Sequence, residues 1–474
     1  MGVLIIHLPR EVQAYILGKL DGVSSALAKR VCRTWYEIIS ELERGLHYWF
    51  CRCVKEISRY SLVEITQLAQ LSRQREITLV EYSQEWTVNK CKILPWSFWR
   101  EVYAEFYRCQ FIRTGEEKKT QLCYFFLHGE VTALHFQDNM IFSGHASGSV
   151  ICWKNLESQM ECDVIIKHQR PVTSITGLNM YDNVDDILCG KHLNMIISAS
   201  IDSKLICHHL VTDNKDDDEE EEEEREDNIE IQHFSKRVNV VRSWGSCFVA
   251  AANGSLVQGQ PVWNVDYEQG RPTQSIVRHL FGQTASNMTA VAFWDDTVLS
   301  GDEMGNVFKW SGNVLDKKNK YTAEDMIFLQ NFRSPVKKLF ILEDIIICFT
   351  GDGKMHISDD QENFTVHDVF SGVHMYPEEI SIRGPVMAIG FRGGMIHLYL
   401  VDSKEDWRRF DITKPVRTYN TGAEHINALA IGDDGGGPVI VIATEELHVT
   451  VLQFRKASKK KEFESEKETE SCTV

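Results

Sequence analysis

A short hydrophobic pattern recurs seven times between Val131 and Leu429: an aliphatic residue or Met, two residues of other kinds, then another aliphatic residue. Successive copies begin 41, 66, 50, 48, 50 and 40 residues apart. The copies are Val131/Leu134, Val172/Ile175, Val238/Val241, Met288/Val291, Val336/Leu339, Val386/Ile389 and Ile426/Leu429. A period of roughly 40 to 50 residues built from short β segments is typical of a β-propeller, with one four-stranded blade per repeat. We therefore predict a seven-bladed propeller, which indicates a rigid binding platform rather than a catalyst.

The two ends of the repeat region predict how the ring closes. The segment 121–127 has strand character but no repeat of its own, and the last repeat supplies only three strands, ending at Phe454. An unpaired sheet edge is a template for unwanted pairing with other chains. We therefore expect 121–127 to pair with the last strand and complete the seventh blade.

Several polar and aromatic residues in the repeats resemble those of WD repeats. Trp153 and Trp310 stand where that family keeps its Trp, and His168, Ser198 and Asp202 fit its polar network. The resemblance covers about residues 120–456, although no repeat keeps a literal Trp-Asp pair. It implies a WD-type propeller.

The first 50 residues have helical rather than β periodicity. Leu8-Pro9 can open a helix, since a first-turn proline loses no hydrogen bond. An apolar face follows, Asp21-Gly22 interrupts it, and two further short helices carry Leu27 and Trp35. Three short helices bury little apolar surface by themselves, so we expect this module to be marginally stable until a partner covers it.

Residues 7 to 40 closely resemble an F-box, from the Leu8-Pro9 opening to the Val31-Cys32-Arg33 and Trp35 ending. The segment 26–29 departs from the Leu-rich middle that is usual in the family. The resemblance implies binding to the Skp-type adaptor of a cullin-RING ubiquitin ligase; the alternative is an isolated three-helix cap. The expected adaptor-binding residues are Leu8, Pro9, Val12, Ile16, Leu17, Leu20, Leu27, Val31, Cys32 and Trp35.

Between the two regions lies a segment rich in aromatic residues, which argues against a flexible linker. We interpret it as a packed helical spacer rather than a cofactor site. Its aromatic cluster is Trp86, Trp96, Phe98, Trp99, Tyr103, Phe106 and Tyr107. The predicted fold class is α+β multidomain: an F-box at 1–50, a helical spacer at 51–118, a seven-bladed propeller at 119–456 and a disordered tail at 457–474.

The charge is uneven along the chain. Of the net −17, residues 216–227 contribute −10, since they hold eleven acidic residues and one Arg. Such a run stays solvated, so we predict a disordered insert at about 213–228 between two blades. It is interpreted as a solubilising insert, the alternatives being a competitor for a basic site or a phosphoregulated loop. A generally acidic body argues against nucleic acid as the main ligand.

Neither a metal site nor a membrane segment is indicated. The thirteen cysteines include no CxxC pair, the seventeen histidines show no metal-ligand spacing, and no apolar run approaches the length of a membrane span. We predict a cytoplasmic or nuclear protein with free thiols, no bound metal and no cofactor.

Four arginines precede predicted repeat positions: Arg170, Arg237, Arg333 and Arg383. Lys337 directly follows one of these positions, Val336. Equivalent loops of a propeller converge on one channel opening, so these groups could form a basic ring. Arg forks bind phosphate or carboxylate in a bidentate manner, and F-box proteins with WD repeats commonly bind phosphorylated or acidic segments. The alternative is a set of scattered, solvated arginines.

No motif for catalysis is present: there is no Walker loop, no GxSxG and no HExxH. The resemblances imply a substrate-recognition subunit of a Skp–cullin–F-box ubiquitin ligase, non-catalytic itself, that captures a protein substrate. The alternative is an F-box and propeller scaffold or adaptor that acts without a cullin ligase.

Overall fold

A computed structural model describes residues 8–45, 48–66, 96–123, 128–154, 161–179, 194–210, 228–234, 236–245, 247–252, 255–262, 274–280, 286–294, 297–311, 326–342, 344–358 and 363–457. Helices occupy the N-terminal part and two short connections later in the chain. They are α1 (Arg10–Leu17), α2 (Gly22–Ala28), α3 (Arg33–Arg44), α4 (Tyr48–Glu56), α5 (Arg59–Thr66), α6 (Trp96–Arg108), α7 (Phe111–Thr114), α8 (Val369–Val373) and α9 (Lys404–Arg408).

The described strands form seven antiparallel sheets of four strands each, which confirms the seven-bladed propeller. Blades 1 to 3 are β2 (Val131–Gln137), β3 (Met140–His145), β4 (Ser149–Lys154), β5 (Glu161–Lys167); β6 (Val172–Asn179), β7 (Asn194–Ser200), β8 (Lys204–Leu210), β9 (Asn228–His233); and β10 (Val238–Trp244), β11 (Cys247–Ala252), β12 (Ser255–Val262), β13 (Gln274–Leu280).

Blades 4 to 7 continue in the same order. They are β14 (Met288–Trp294), β15 (Thr297–Asp302), β16 (Asn306–Ser311), β17 (Met326–Asn331); β18 (Val336–Leu342), β19 (Ile345–Thr350), β20 (Lys354–Ser358), β21 (Thr365–Asp368); β22 (Pro377–Arg383), β23 (Val386–Phe391), β24 (Met395–Leu400), β25 (Arg417–Asn420); and β26 (Ile426–Asp433), β27 (Pro438–Thr444), β28 (His448–Arg455), with β1 (Glu116–Cys123) as the fourth strand of blade 7.

The first strand of each repeat is innermost and lines a central channel. All seven innermost strands shift register directly after their first residue, so each carries the same local irregularity. At this irregularity, a side chain in several blades donates a hydrogen bond to the backbone carbonyl of the first residue of the next blade. These bonds are Thr132 to Val172 (2.6 Å), Thr173 to Val238 (2.8 Å), Asn239 to Met288 (2.6 Å) and Thr289 to Val336 (2.5 Å). The end of the channel where these strands begin is called the upper face, and the other end the lower face.

One of the seven predicted repeat positions is wrong. Val386 begins β23, the second strand of blade 6, whereas the innermost strand of that blade begins at Pro377. The corrected spacings are 41 residues from Val336 to Pro377 and 49 from Pro377 to Ile426. Every residue of β23 is buried, so its apolar run imitates an innermost strand. A proline is tolerated at the first position of a strand because little pairing is lost there.

The predicted closure of the ring is confirmed, with an earlier start. Strand β1 pairs antiparallel with β28 from Glu116 opposite Arg455 to Cys123 opposite His448. Its first half is charged, Glu-Glu-Lys-Lys, which suits an exposed edge strand but hides it from hydrophobic pattern reading. The propeller therefore begins inside the segment predicted as spacer. Residues 124–127, residues 213–227 of the predicted insert at about 213–228, and the tail from 458 lie outside the described residues, whereas Asn228 begins β9.

The spacer packs on the lower face of the propeller. Trp99, Tyr103 and Phe106 are buried as predicted, whereas Trp86 lies outside the described residues. One hydrophobic cluster runs from α4, α5 and α6 into the innermost strands of blades 3 to 6, where it includes Trp244 and Trp294. Burial of one such aromatic side chain contributes about 1.5–3 kcal/mol to the stability of the folded protein. Because one cluster includes both the spacer and the strands, the interface is a continuation of the propeller core.

Polar contacts fix the spacer at defined points of the propeller. The hydroxyl of Ser58, directly before α5, and that of Ser61 on α5 both donate to Asp402 Oδ1 at 3.0 Å. On α6, Arg108 donates hydrogen bonds from Nε and Nη2 to the buried carboxylate of Asp433. The shortest of these distances is 2.7 Å. A paired, shielded Arg fork holds one geometry, so the helices and the propeller are held in register.

Candidate protein-binding surfaces

The F-box region folds as the three predicted helices around a very small core. Asp21 caps α2 by accepting from the Ser24 N–H at 2.6 Å, and Pro9 precedes α1 with φ −51°. Among the described residues, four buried apolar side chains form this core: Leu17, Ala28, Ile38 and Ile39. A core of this size leaves most apolar side chains of the helices at the surface.

Large apolar side chains remain exposed on all three helices. Val12 is 41% exposed, Leu27 58% and Val31 59%, all three among the predicted adaptor-binding residues. Three further residues share this exposure but were missed by the sequence analysis: Tyr15 (68%), Val23 (38%) and Tyr36 (56%). Exposed apolar groups concentrated on a small domain mark a protein-binding surface. The sequence pattern does not separate these exposed apolar residues from buried ones, whereas the exposed fraction of each side chain in the structure does.

The other predicted adaptor-binding residues are placed differently. Pro9 is exposed, whereas Leu8, Ile16, Leu20, Cys32 and Trp35 are partly buried. Leu17 is only 1% exposed and belongs to the core, so its expected direct contact with an adaptor is corrected to a packing role. Trp35 Nε1 donates to Gln13 Oε1 at 3.1 Å, and Gln13 Nε2 donates to the Leu8 carbonyl at 2.8 Å. These bonds hold the first residues of α1 against α3.

The F-box is locked to the spacer by a polar network around Gly22. The Gly22 N–H donates to Tyr103 Oη at 3.0 Å, and that hydroxyl donates to Glu56 at 2.5 Å. Arg52 bonds to the same Glu56 and to the Gly18 carbonyl, at 3.2 and 2.6 Å. Burial and the neighbouring Glu56 carboxylate keep the pKa of Tyr103 well above its ordinary value, so the phenol stays a donor.

Gly22 also has a steric role. A Cβ at this position would lie 2.4 Å from two ring atoms of Tyr103. The glycine predicted as a helix breaker therefore begins α2 and permits close approach of the spacer.

Three of the four predicted arginines lie on the upper face. Arg170, Arg237 and Arg333 each come shortly before an innermost strand, in blades 2, 3 and 5, and all are exposed. Arg333 adopts φ 56°, an unusual conformation for a residue with a side chain. Lys337 is the second residue of β18, and its Nζ lies 5.1 Å from the ring centroid of Tyr376. The upper face thus carries accessible cations from three blades.

Arg383 does not belong to this group, which corrects the predicted ring. It is the last residue of β22 and so lies on the lower face, where its Nη2 is 2.9 Å from Glu105 Oε1 of α6. The misplaced repeat at Val386 caused the error. Burial raises the pKa of Glu105, and the Glu105 carboxylate raises the pKa of Arg383. Arg383 joins the spacer to the propeller.

The upper face of blades 6 and 7 has mixed charge that sequence analysis did not find. Glu378 accepts from His425 at 2.7 Å and from Arg392 at 3.3 Å, and its carboxylate raises the pKa of His425. The Arg392 guanidinium also lies 5.9 Å from the Tyr376 ring centroid, on which Lys337 rests. Accessible positive charge is therefore concentrated toward blades 2 to 5.

The predicted WD-type polar contacts are present. His168 lies 3.1 Å from Asp202 Oδ2 through Nδ1 and 2.8 Å from Ser198 Oγ through Nε2. Trp153 and Trp310 donate to a serine of the neighbouring strand, Ser143 and Ser300, each at 2.9 Å. The Trp contacts join neighbouring strands of one blade, and the His168 contacts join the connection after blade 1 to blade 2.

None of the described helices has the length and apolar character to cross a bilayer. Within the described ranges, no three His, Cys, Asp or Glu side chains come together as a metal site.

The family model for the F-box domain matches residues 5–47. Among solved structures, the chain is similar to the WD40 β-propeller domain of Doa1, with 12% identity, a TM-score of 0.48, and coverage of 73% of this chain and 98% of that chain. It is also similar to the computationally designed Ika8 protein, with 16% identity, a TM-score of 0.43, and coverage of 70% and 100%. No curated protein shows a significant sequence match. The chain thus combines an F-box domain with a seven-bladed β-propeller, as in F-box/WD-repeat proteins.

Proposed function

We propose that this chain is the substrate-recognition subunit of a Skp–cullin–F-box ubiquitin ligase in the cytoplasm or nucleus. An F-box joined to a propeller is an architecture typical of non-catalytic receptor subunits. The observation that carries the proposal is an F-box with exposed apolar side chains, held rigidly on a closed propeller. The F-box binds the Skp-type adaptor, and the propeller captures a protein substrate.

The adaptor-binding step is supported by the distribution of apolar groups on α1, α2, α3 and the turn between α2 and α3. Leu27 and Val31 are more than half exposed, while the described residues of the domain beneath them form a core of four buried side chains. Helical faces that dock in a partner groove derive most of their affinity from a few such anchors. Binding would also complete the burial that this small domain lacks.

The rigid connection matters for a receptor because ubiquitin must be transferred across a defined gap. The Arg52, Glu56 and Tyr103 network fixes the F-box on the spacer, and the Arg108–Asp433 pair fixes the spacer on the propeller. A flexible tether would spread the substrate over many positions, whereas a fixed body presents it at one distance. Positioning of this kind raises the effective concentration of the reacting groups.

Substrate capture is assigned to the upper face, opposite the spacer. Arg170, Arg237, Arg333 and Lys337 present accessible cations there, and the α5 and α6 helices occupy the lower face. Arg guanidinium groups suit carboxylates and phosphates. The substrate we propose is therefore an acidic or phosphorylated protein segment.

Affinity purification of the full chain from cells tests the ligase assignment. We expect the adaptor, a cullin and a RING subunit to be recovered together, and the adaptor-face variant Leu27→Asp/Val31→Asp to lose all three. Recovery of the adaptor without a cullin would contradict the ligase role and favour the scaffold alternative. Recovery of the cullin complex by the variant would contradict the proposed F-box surface.

A further inference from the structure

The central channel contains a cavity of about 310 Å³ that the proposed function does not use. Side chains of all seven innermost strands line it, and Glu64 of α5 lines its lower end. Helix α5 lies close to the lower face at this point, because a Cβ at Gly384 would be 3.2 Å from Ile65. A ligand would therefore reach the cavity from the upper face.

The charges in this cavity are mostly paired. Lys338 Nζ is 2.9 Å from Glu379 Oε2, and Arg383 is 2.9 Å from Glu105 at the lower end. Lys337, nearest the upper opening, rests on the ring of Tyr376. Each of these cations thus has a partner supplied by the protein.

Arg242, on the innermost strand of blade 3, is the exception. It lines the cavity and is partly buried, yet it forms no hydrogen bond or ion pair with any described residue. The carboxylate that acts on it electrostatically, Glu379, is already bonded to Lys338. Neighbouring hydroxyls are also occupied, since Thr176 and Ser243 bond to each other at 2.6 Å. Its guanidinium faces the channel without a described acceptor and is therefore available to a ligand, and charge-assisted bonds to an oxyanion are stronger than bonds between neutral groups.

The remaining polar groups complete a site for an anion. His135, at the position of blade 1 equivalent to Arg242, lies in the same cavity, and burial lowers its pKa to about 4. It is therefore a neutral hydrogen-bonding group at neutral pH. A cavity of this volume is at the small end of ligand sites in proteins, which span roughly 300–1,000 Å³.

We propose that the central channel binds a small soluble oxyanion carrying phosphate or carboxylate groups, with the Arg242 guanidinium as its main contact. The ligand sits below the upper-face arginines and is separate from the adaptor surface. It supplies the acceptor oxygens that no described residue gives to Arg242. The site is independent of the ligase role, because adaptor binding involves only α1, α2 and α3.

Calorimetry on the full chain tests this site, with pyrophosphate and citrate as probes and sodium chloride to hold ionic strength constant. We expect saturable binding of at least one probe. Arg242→Gln should weaken it by about tenfold or more, the usual scale for losing one shielded charge-assisted contact. The matched control Arg113→Gln, on exposed α7 outside the channel lining, should change affinity less than about twofold.

Three results would overturn the site. They are the absence of saturable binding, equal losses in both variants, or binding of an acidic or phosphorylated peptide through Arg242 while neither small anion binds. The last result would assign the channel to a substrate side chain instead.

Two further measurements keep the test independent of folding. Because Arg242 has no partner among the described residues, Arg242→Gln should unfold at the same temperature as the parent without ligand, or higher. In addition, crystals of the parent soaked in selenate should show an anomalous peak within hydrogen-bond distance of Arg242. A peak only at other cations, or none, would refute the proposal even if the variant fails to fold.

Discussion

At the residue scale, the apolar side chains of the F-box fall into two groups: buried ones that stabilise the domain and exposed ones that are available to a partner. Leu17 is 1% exposed, and Leu27 and Val31 are 58% and 59% exposed. Replacing Leu27 and Val31 by Asp should abolish adaptor binding while changing the free energy of unfolding by only about 0.5 kcal/mol per site, the usual range for surface changes. Leu17→Ala should instead destabilise the domain by about 2–5 kcal/mol.

Isothermal titration with purified adaptor and urea unfolding check these two outcomes. Val164→Asp is the matched control, because Val164 is 44% exposed but lies on an outer strand of the propeller. Loss of adaptor binding in that control as well would contradict a specific role for the F-box face.

A second residue-scale prediction concerns Glu64, at the lower end of the channel. Burial raises its pKa to about 7, and the nearby Arg383 opposes this only in part. Because the pKa in the folded state is above that of the unfolded chain, the stabilising contribution is complete below about pH 4.5 and is lost as pH rises through about 7. The melting temperature should therefore fall between pH 5.5 and 8.

The Glu64→Gln variant should show a smaller fall over the same range, since its side chain does not titrate. Glu105 and Asp402, whose pKa values are also raised by burial, are unchanged in both proteins and provide the common background. Identical pH profiles would show that Glu64 is not the group responsible.

At the scale of elements, the contact between Gly22 of α2 and Tyr103 of α6 fixes the position of the F-box on the spacer. A Cβ at Gly22 would lie 2.4 Å from the Tyr103 ring, so Gly22→Ala should cost about 1–3 kcal/mol, as overpacking usually does. In a Tyr103→Leu background the same change should cost at least about 1 kcal/mol less, since contacting residues couple. Urea unfolding of the four proteins in this cycle gives the coupling, and additive effects would contradict direct contact.

At the scale of the whole molecule, the propeller depends on both ends of its sequence. Strand β28 lies between β27 and β1, so truncation after Thr444 removes it and leaves β1 without a partner. We expect that truncated protein to lose cooperative melting, whereas truncation after residue 457 keeps β28 and should melt like the full chain. Calorimetric scans of both compare the two. Cooperative melting of the shorter protein would contradict closure by β1.

The sequence predicted the blade number and the F-box because both depend on local patterns. It failed where a second element decides the outcome. Val386 was mistaken for an innermost strand because β23 is buried on both sides, and Arg383 was misplaced with it. The charged start of β1 gave no hydrophobic signal, and its pairing with β28 is set by a partner more than 300 residues away. Leu17 and Leu27 are the same residue type, and only tertiary packing buries one of them.

The most direct test of the central claim is reconstitution from purified components. The full chain, a Skp-type adaptor, a cullin and a RING subunit would be mixed and analysed by sedimentation velocity. We predict one complex containing a single copy of each, which forms with the parent and with Val164→Asp but not with Leu27→Asp/Val31→Asp. A parent chain that remains free, or that binds the adaptor but excludes the cullin, would contradict its assignment as a ligase receptor.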